Sequence, residues 1–209
     1  MHMSRYPVLK LALSLFLLVS GWVSIVHAQE PTFKTMMASS FQPIGIAGLE
    51  RLVQDENQLA CSDFKKGELH LTAAMRSRVE KNNLQTVVPP TDQQYFGNWK
   101  EGEKIAQSGK GSTWSDKSDD VNGGSCYNCH QIDKKEISYG TIGPSLYNYG
   151  KLRGSSPEVI QYTWNKLYNA KAYNACSAMP RFGTFRLLTE SQLRDLMSLL
   201  LDPLSPVNQ

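Results

Sequence analysis

The chain has 209 residues, of which 41% are hydrophobic and 20% charged, with 22 basic against 19 acidic side chains. That length and composition fit one globular domain, alone or with an extension, and exclude a collagen-like, a disordered or a multi-span membrane protein. The formal charge of +3 is no signature of a nucleic-acid partner, because two of the basic residues belong to an N-terminal leader and the rest of the chain is close to neutral.

That leader occupies residues 1–28. Arg5 and Lys10 form its positive start, Val8 to Val26 is mostly apolar, and Val26-His27-Ala28 fits a small-residue cleavage site. The rival to a cleaved leader is an uncleaved membrane anchor; Gly21 and Ser24 interrupt an already short apolar core, which favours a cleaved signal peptide, with no membrane attachment after cleavage. Export puts the four cysteines, Cys61, Cys126, Cys129 and Cys176, in an oxidising compartment, the periplasm of a bacterial cell.

Residues 29–90 read as a helical N-terminal extension. Gln42, Pro43 and Gly45 punctuate a loose start. From Gly48, Leu49, Leu52, Val53, Glu56 and Leu59 recur at helical spacing. A second helix is predicted from about Glu68 to Lys81, with Leu71, Met75 and Val79 on one stripe; Asn82-Asn83 ends it and Pro89-Pro90 breaks the chain.

The main domain is placed at 91–209. A short helix is expected over Tyr95–Gln107, then a surface loop over Ser108–Ser125 rich in Gly, Ser and Asp. After an irregular stretch, Ser156 caps a helix with Pro157 in its first turn and Val159, Ile160, Trp164, Leu167 and Tyr168 on its apolar face. The last helix opens on a capping box, Thr189 with Gln192, carries Leu193, Leu196, Met197 and Leu200 on one stripe, and closes at Pro203. No run alternates as a strand, so the predicted fold is all-α.

Between loop and glycine-rich stretch stands Cys126-Tyr127-Asn128-Cys129-His130. Two thiols separated by two residues can add across the two vinyl groups of one haem, and the adjacent histidine then comes under the iron as an axial ligand. A thioredoxin-type disulfide would need a βαβ context, and a zinc site a second ligand pair; the sequence offers neither. Cys126, Cys129 and His130 are thus the expected attachment site of one haem c.

The second axial ligand has to come from elsewhere. His2 and His27 leave with the leader, and His70 reads as a surface residue of the extension. Among the methionines, Met75 and Met197 fall on helical apolar stripes and Met36 and Met37 in the loose start, whereas Met179 lies in an irregular stretch before Pro180. A thioether raises the potential of a haem built for electron transfer, so Met179 is the expected sixth ligand. Cys61 and Cys176 remain, either as a disulfide worth on the order of 4 kcal/mol or with Cys176 as a thiolate ligand or sulfur carrier. Lys134, Lys135, Lys151, Arg153 and Arg181 could steer an acidic partner, although ordinary solvated charge is the plainer reading. Tyr127, Tyr147, Tyr149 and Trp164 are expected to pack round the porphyrin.

These residues resemble class I cytochromes c. There a glycine-bearing first helix crosses the last helix, as Gly102 and Ile105 would here, a Gly-Pro-x-Leu segment follows the haem motif, as in Gly143-Pro144-Ser145-Leu146, and a Met-Pro pair such as Met179-Pro180 supplies the sixth ligand. The resemblance implies a class I cytochrome c-like haem domain in which the Pro144 carbonyl accepts the His130 ring N–H. The long loop Ser108–Ser125 departs from the pattern.

A narrower likeness lies in Asn174-Ala175-Cys176-Ser177-Ala178-Met179-Pro180-Arg181-Phe182-Gly183, in Ile142-Gly143-Pro144-Ser145-Leu146 and in Gln58-Leu59-Ala60-Cys61-Ser62. These segments resemble the SoxX family, the mono-haem subunits of SoxAX cytochromes in bacterial thiosulfate oxidation. Membership would imply a heterodimer with a SoxA-like c-type cytochrome that carries the catalytic cysteine of an L-cysteine S-thiosulfotransferase. It would also imply transient contacts with a SoxYZ-like carrier protein and a small acceptor cytochrome. The alternatives are a free-standing electron carrier of another respiratory chain and a haem sensor with an open iron site.

Overall fold

The computed structural model describes residues 32–65 and 68–209. The predicted leader, with His2 and His27, lies outside the described residues. Among those residues, no helix is long and apolar enough to cross a membrane. Two units are distinguished, one ending at Phe41 and one spanning Gln42–Gln209. The first holds helix α1, Phe33–Ser40, whose cap Thr32 accepts from the Thr35 amide.

In the second unit the extension differs from its predicted pattern. The helix expected from Gly48 is two pieces, a 3-10 turn at Leu49–Leu52 and helix α2 at Glu56–Ala60. The reason is local. Asp55 and Gln58 form a reciprocal capping box, each side chain accepting the other's backbone N–H at 2.8 Å, and a cap starts a new helix. Leu49, Val53 and Leu59 are accordingly exposed and line no core.

A two-residue hairpin follows, β1 Phe64–Lys65 antiparallel to β2 Glu68–Leu69, where the sequence pattern predicts helix from Glu68. Helix α3 begins only at Ala73, because Thr72 caps it by accepting from Met75 N, and it runs to Leu84. The Asn82-Asn83 stop is overridden by burial. Asn83 is 2% exposed, donates to Val79 O at 2.7 Å and to Asn57 Oδ1 at 3.1 Å, and accepts from Asn169 Nδ2 at 3.0 Å, so its amide is satisfied inside the helix. Met75, expected in the core, is only half-buried.

The remaining helices are α4 Trp99–Gln107, α5 Tyr149–Arg153, α6 Pro157–Tyr168 and α7 Glu190–Leu201. Helix α4 starts four residues later than expected, because the Asn98 side chain caps it through the Lys100 amide. Ser156 and Pro157 open α6, and Thr189 and Gln192 open α7 with a capping box, both as the sequence predicts. The described fold is mostly helical with one two-stranded sheet.

Helices α4 and α7 cross closely. Gly97 N donates to Arg194 O at 3.1 Å and to Ser198 Oγ at 2.9 Å, and Asn98 N donates to Asp195 Oδ1 at 2.7 Å. At the crossing a Cβ on Gly102 would lie 2.2 Å from Asp195 O and 3.0 Å from Leu199 Cβ. Only hydrogen fits against that carbonyl, which belongs to rigid helical backbone. Gly102→Ala is therefore expected to destabilise the fold by about 1–3 kcal/mol despite alanine's better helix propensity, measured as a lowered denaturant midpoint. An unchanged midpoint would mean that the helices part freely. Around this crossing lies the core, built on Trp164, Ile132, Leu196, Met197, Leu199 and Val207.

Candidate functional site

The Cys126–Asn128 segment is a 3-10 turn, entered through Ser125 at φ 51° and fastened to the end of α4. Gly123 N donates to Lys110 O at 2.7 Å, Gly124 N to Ile105 O at 2.7 Å and Ser125 N to Ser108 O at 2.9 Å. These bonds close the base of the long loop, so its extra length leaves the motif's start in place. Within the turn, the amides of Cys129 and His130 both donate to Cys126 O, at 3.1 and 2.9 Å.

The glycine-rich segment then runs back beside the motif. Gly140 N donates to Tyr127 O at 2.8 Å, Gly143 N to Cys129 O at 2.8 Å and Leu146 N to Gln131 O at 2.7 Å. Alternate motif carbonyls are thus each satisfied by one residue of the returning strand of chain. A Cβ on Gly143 would meet the His130 ring, 2.1 Å from Cε1 and 2.5 Å from Nδ1, so the imidazole lies against bare backbone. His130 Nδ1 stands 2.7 Å from Pro144 O. A carbonyl only accepts, so Nδ1 is the donor of this contact, and in the neutral form of the ring Nε2 would keep its lone pair. That tautomer is the one an axial haem ligand needs.

Cys126 and Cys129 are free and are not joined to one another. Burial pushes the Cys126 thiol up to about 12. A dithiol poised for thioredoxin chemistry has its thiol lowered instead. Among the described residues no group of three or more His, Cys, Asp or Glu side chains is placed to hold a metal ion.

Met179 packs half-buried against the same core cluster as Cys126, Leu146 and Tyr168. Its loop is held by the extension. Cys61 and Cys176 form a disulfide with Cα atoms 5.5 Å apart, so Cys176 is neither a thiolate ligand nor a sulfur carrier in this form. Glu80 Oε1 accepts from Ala175 N at 3.1 Å, and the buried Lys171 Nζ donates to Ala175 O at 2.9 Å. On the other side of Met179, the Arg181 guanidinium lies 2.5 Å from Asp55 Oδ2 and stacks over the Phe185 ring at 4.2 Å. Its side chain is only 7% exposed. Arg181 is therefore removed from the set of surface cations that could steer a partner, whereas Lys134, Lys135, Lys151 and Arg153 are exposed. His70 is exposed as well, on the hairpin side of the extension near Asp63.

The aromatic residues divide in two. Trp164 is core, donating from Nε1 to Val88 O at 2.9 Å and meeting Tyr95 edge-on at 5.5 Å. Tyr149 shares a hydrogen bond of 2.8 Å with Thr163 Oγ1. Tyr127 is buried within the motif. Tyr147 stays near the surface, under Lys134.

Asp55 and Glu80 carry no site signal in the sequence, and Asn83 reads there only as a helix stop, because their partners Arg181, Ala175 and Asn169 lie about a hundred residues away. Burial works to raise the Asp55 carboxyl, and the Gln58 amide and the Arg181 guanidinium outweigh it, with Lys171 adding to them. The folded carboxyl thus sits below its unfolded value. The stabilisation is present above the unfolded range, near pH 4, and is lost as pH falls through the depressed folded value. Acid unfolding of the wild type is expected to be steeper below about pH 4 than that of Asp55→Asn; identical acid limbs would show that the pair contributes nothing.

No known family model matches the sequence. A lipoprotein of Aquifex aeolicus (strain VF5), itself uncharacterized, is 34% identical over 157 residues, which cover 75% of this chain and 73% of the relative. This chain belongs to that lipoprotein's family. The shared stretch covers most of both chains.

Proposed function

We propose that this chain is an exported mono-haem c-type cytochrome, and that it acts as the SoxX-like electron-transfer subunit of a SoxAX-type L-cysteine S-thiosulfotransferase. The observation that carries the haem reading is the placing of the His130 ring beside Cys126 and Cys129, with Nδ1 2.7 Å from Pro144 O and one face against bare Gly143. Cys126 and Cys129 would hold the porphyrin covalently, His130 would ligate one side of the iron and Met179 the other. A bound haem supplies a one-electron couple. The chain's own part is to fix the imidazole, shield the site with Ile132, Leu146 and Tyr127, and keep the distal loop in place. The Cys61–Cys176 bridge and the relative's being a lipoprotein support placement outside the cytoplasm, and the periplasm is the compartment that follows for a SoxAX partner.

The narrower enzyme-subunit reading rests on the Cys-x-x-Met-Pro-Arg-Phe-Gly run, whose cysteine and arginine both have defined partners here. One observation favours the second reading, a free-standing carrier. Residues 42–90 hold the Met179 loop through Asp55, Cys61 and Glu80, so the extension has a role within the chain and needs no permanent partner. The experiment is a mild pull-down of tagged chain from host periplasm, scored by haem staining and mass spectrometry. A second c-type cytochrome in equal amount, with thiosulfate-coupling activity, supports the subunit; recovery of the haem-bearing chain alone supports the carrier.

A further inference from the structure

Met179 lies three residues after Cys176 and two before Arg181, and both flanking residues are tied to the extension. Cys176 is bonded to Cys61 at the end of α2, and Arg181 pairs with Asp55 at its start. One five-residue helix thus grips the chain on both sides of Met179. Between the grips the Met179 amide donates to Ser177 Oγ at 3.2 Å, and beyond them Gly183 N donates to Tyr168 O at 3.0 Å. A bridge alone would fix one end and let the loop swing about it.

We infer that α2 is a clamp, in which the Asp55–Arg181 pair acts with the Cys61–Cys176 bridge to position the Met179 thioether. The inference rests on the haem reading above and goes beyond it by naming Asp55 and Arg181 as positioning residues. Opening of the clamp would release the distal side of the iron without disturbing the cysteine attachment or His130. The buried guanidinium has its charge matched only by Asp55 among its ion-pair partners in the described residues, so losing that carboxylate costs more than losing an exposed pair would.

Asp55→Asn is the decisive variant, because asparagine caps a helix as well as aspartate does and removes only the charge. Asp92→Asn is the control. Asp92 pairs with Arg194 of α7 at 2.6 Å, and among the described residues neither is ion-paired or side-chain hydrogen-bonded to residues 176–181. The haem-loaded full chain is compared as wild type and both variants. The readouts are the sulfur-to-iron charge-transfer band of the oxidised protein, carbon monoxide binding to the reduced protein, and the reduction potential. Asp55→Asn is expected to lose most of the band, to bind carbon monoxide about tenfold more readily, in line with the strength of a charge-assisted hydrogen bond, and to fall in potential. Asp92→Asn should match the wild type. If Asp55→Asn keeps the band and excludes carbon monoxide, or if both variants lose the band alike, the clamp is overturned and the haem reading stands. A wild-type chain with covalent haem but no such band overturns the clamp together with Met179 ligation. A wild-type chain without covalent haem overturns the clamp and the haem reading together.

Discussion

Produced in a host that matures c-type cytochromes, the wild-type chain is expected to carry one haem that stays with the polypeptide through denaturation, and Cys126→Ala/Cys129→Ala to carry none. The magnitude is all-or-none because the thioether links are covalent, so no partial occupancy survives a denaturing gel without them. Gly143→Ala is the finer probe of the same site. Its Cβ would stand 2.1 Å from His130 Cε1 and 2.5 Å from the nitrogen that bonds Pro144 O, and it must drive the ring off its carbonyl. Attachment through sulfur should persist in that variant while axial ligation weakens about 10–100-fold, the usual range when a ligand's supporting bond is lost. Free-thiol titration decides the main point. Two titratable thiols at Cys126 and Cys129 in the mature wild-type protein would sink the haem reading and return the motif to ordinary thiol chemistry.

The part of the site legible in the sequence is the part in which chemistry is encoded locally. Cys126, Cys129 and His130 are adjacent, and one spacing rule suffices to read them. Caps are local too, which is why α6 and α7 begin where Ser156 and Thr189 say they should. The extension failed for the opposite reason. Its apolar spacing suggests one helix facing a core, but Asp55 restarts the backbone and Leu49, Val53 and Leu59 are left in solvent. Beside Val79 and Val87, much of what the extension packs with is polar and distant: Asn83 with Asn169, Glu80 with Ala175 N, Asp55 with Arg181. Periodicity measures apolar faces and is blind to such pairs. Arg181 shows the cost of that blindness, since a cation in a loop near a cofactor reads as surface until its carboxylate partner is found 126 positions earlier in the chain.

Replacing Cys61 and Cys176 together by serine, or reducing their bridge, is expected to lower the unfolding free energy by about 5 kcal/mol, from the loop-closure entropy of a crosslink between residues 115 apart. That is a third or more of the stability of an ordinary domain, and it should appear as a large fall in denaturant midpoint with a rise in slope as the unfolded chain expands. Reduction is selective in a haem-loaded protein, because a thioether carbon–sulfur bond does not exchange with thiols as a disulfide does. The closed loop contains α3, α4, the Cys126–His130 segment, α5 and α6. The crosslink therefore acts on the unfolded state of most of the chain and on the native state only where α2 meets the Met179 loop. The two effects separate experimentally: the entropic one moves the global midpoint, and the local one moves Met179. A reduced protein with an unchanged midpoint would show that the unfolded chain already holds these segments together, and the stabilising role would pass to the Asp55–Arg181 pair and the Asn83–Asn169 amides.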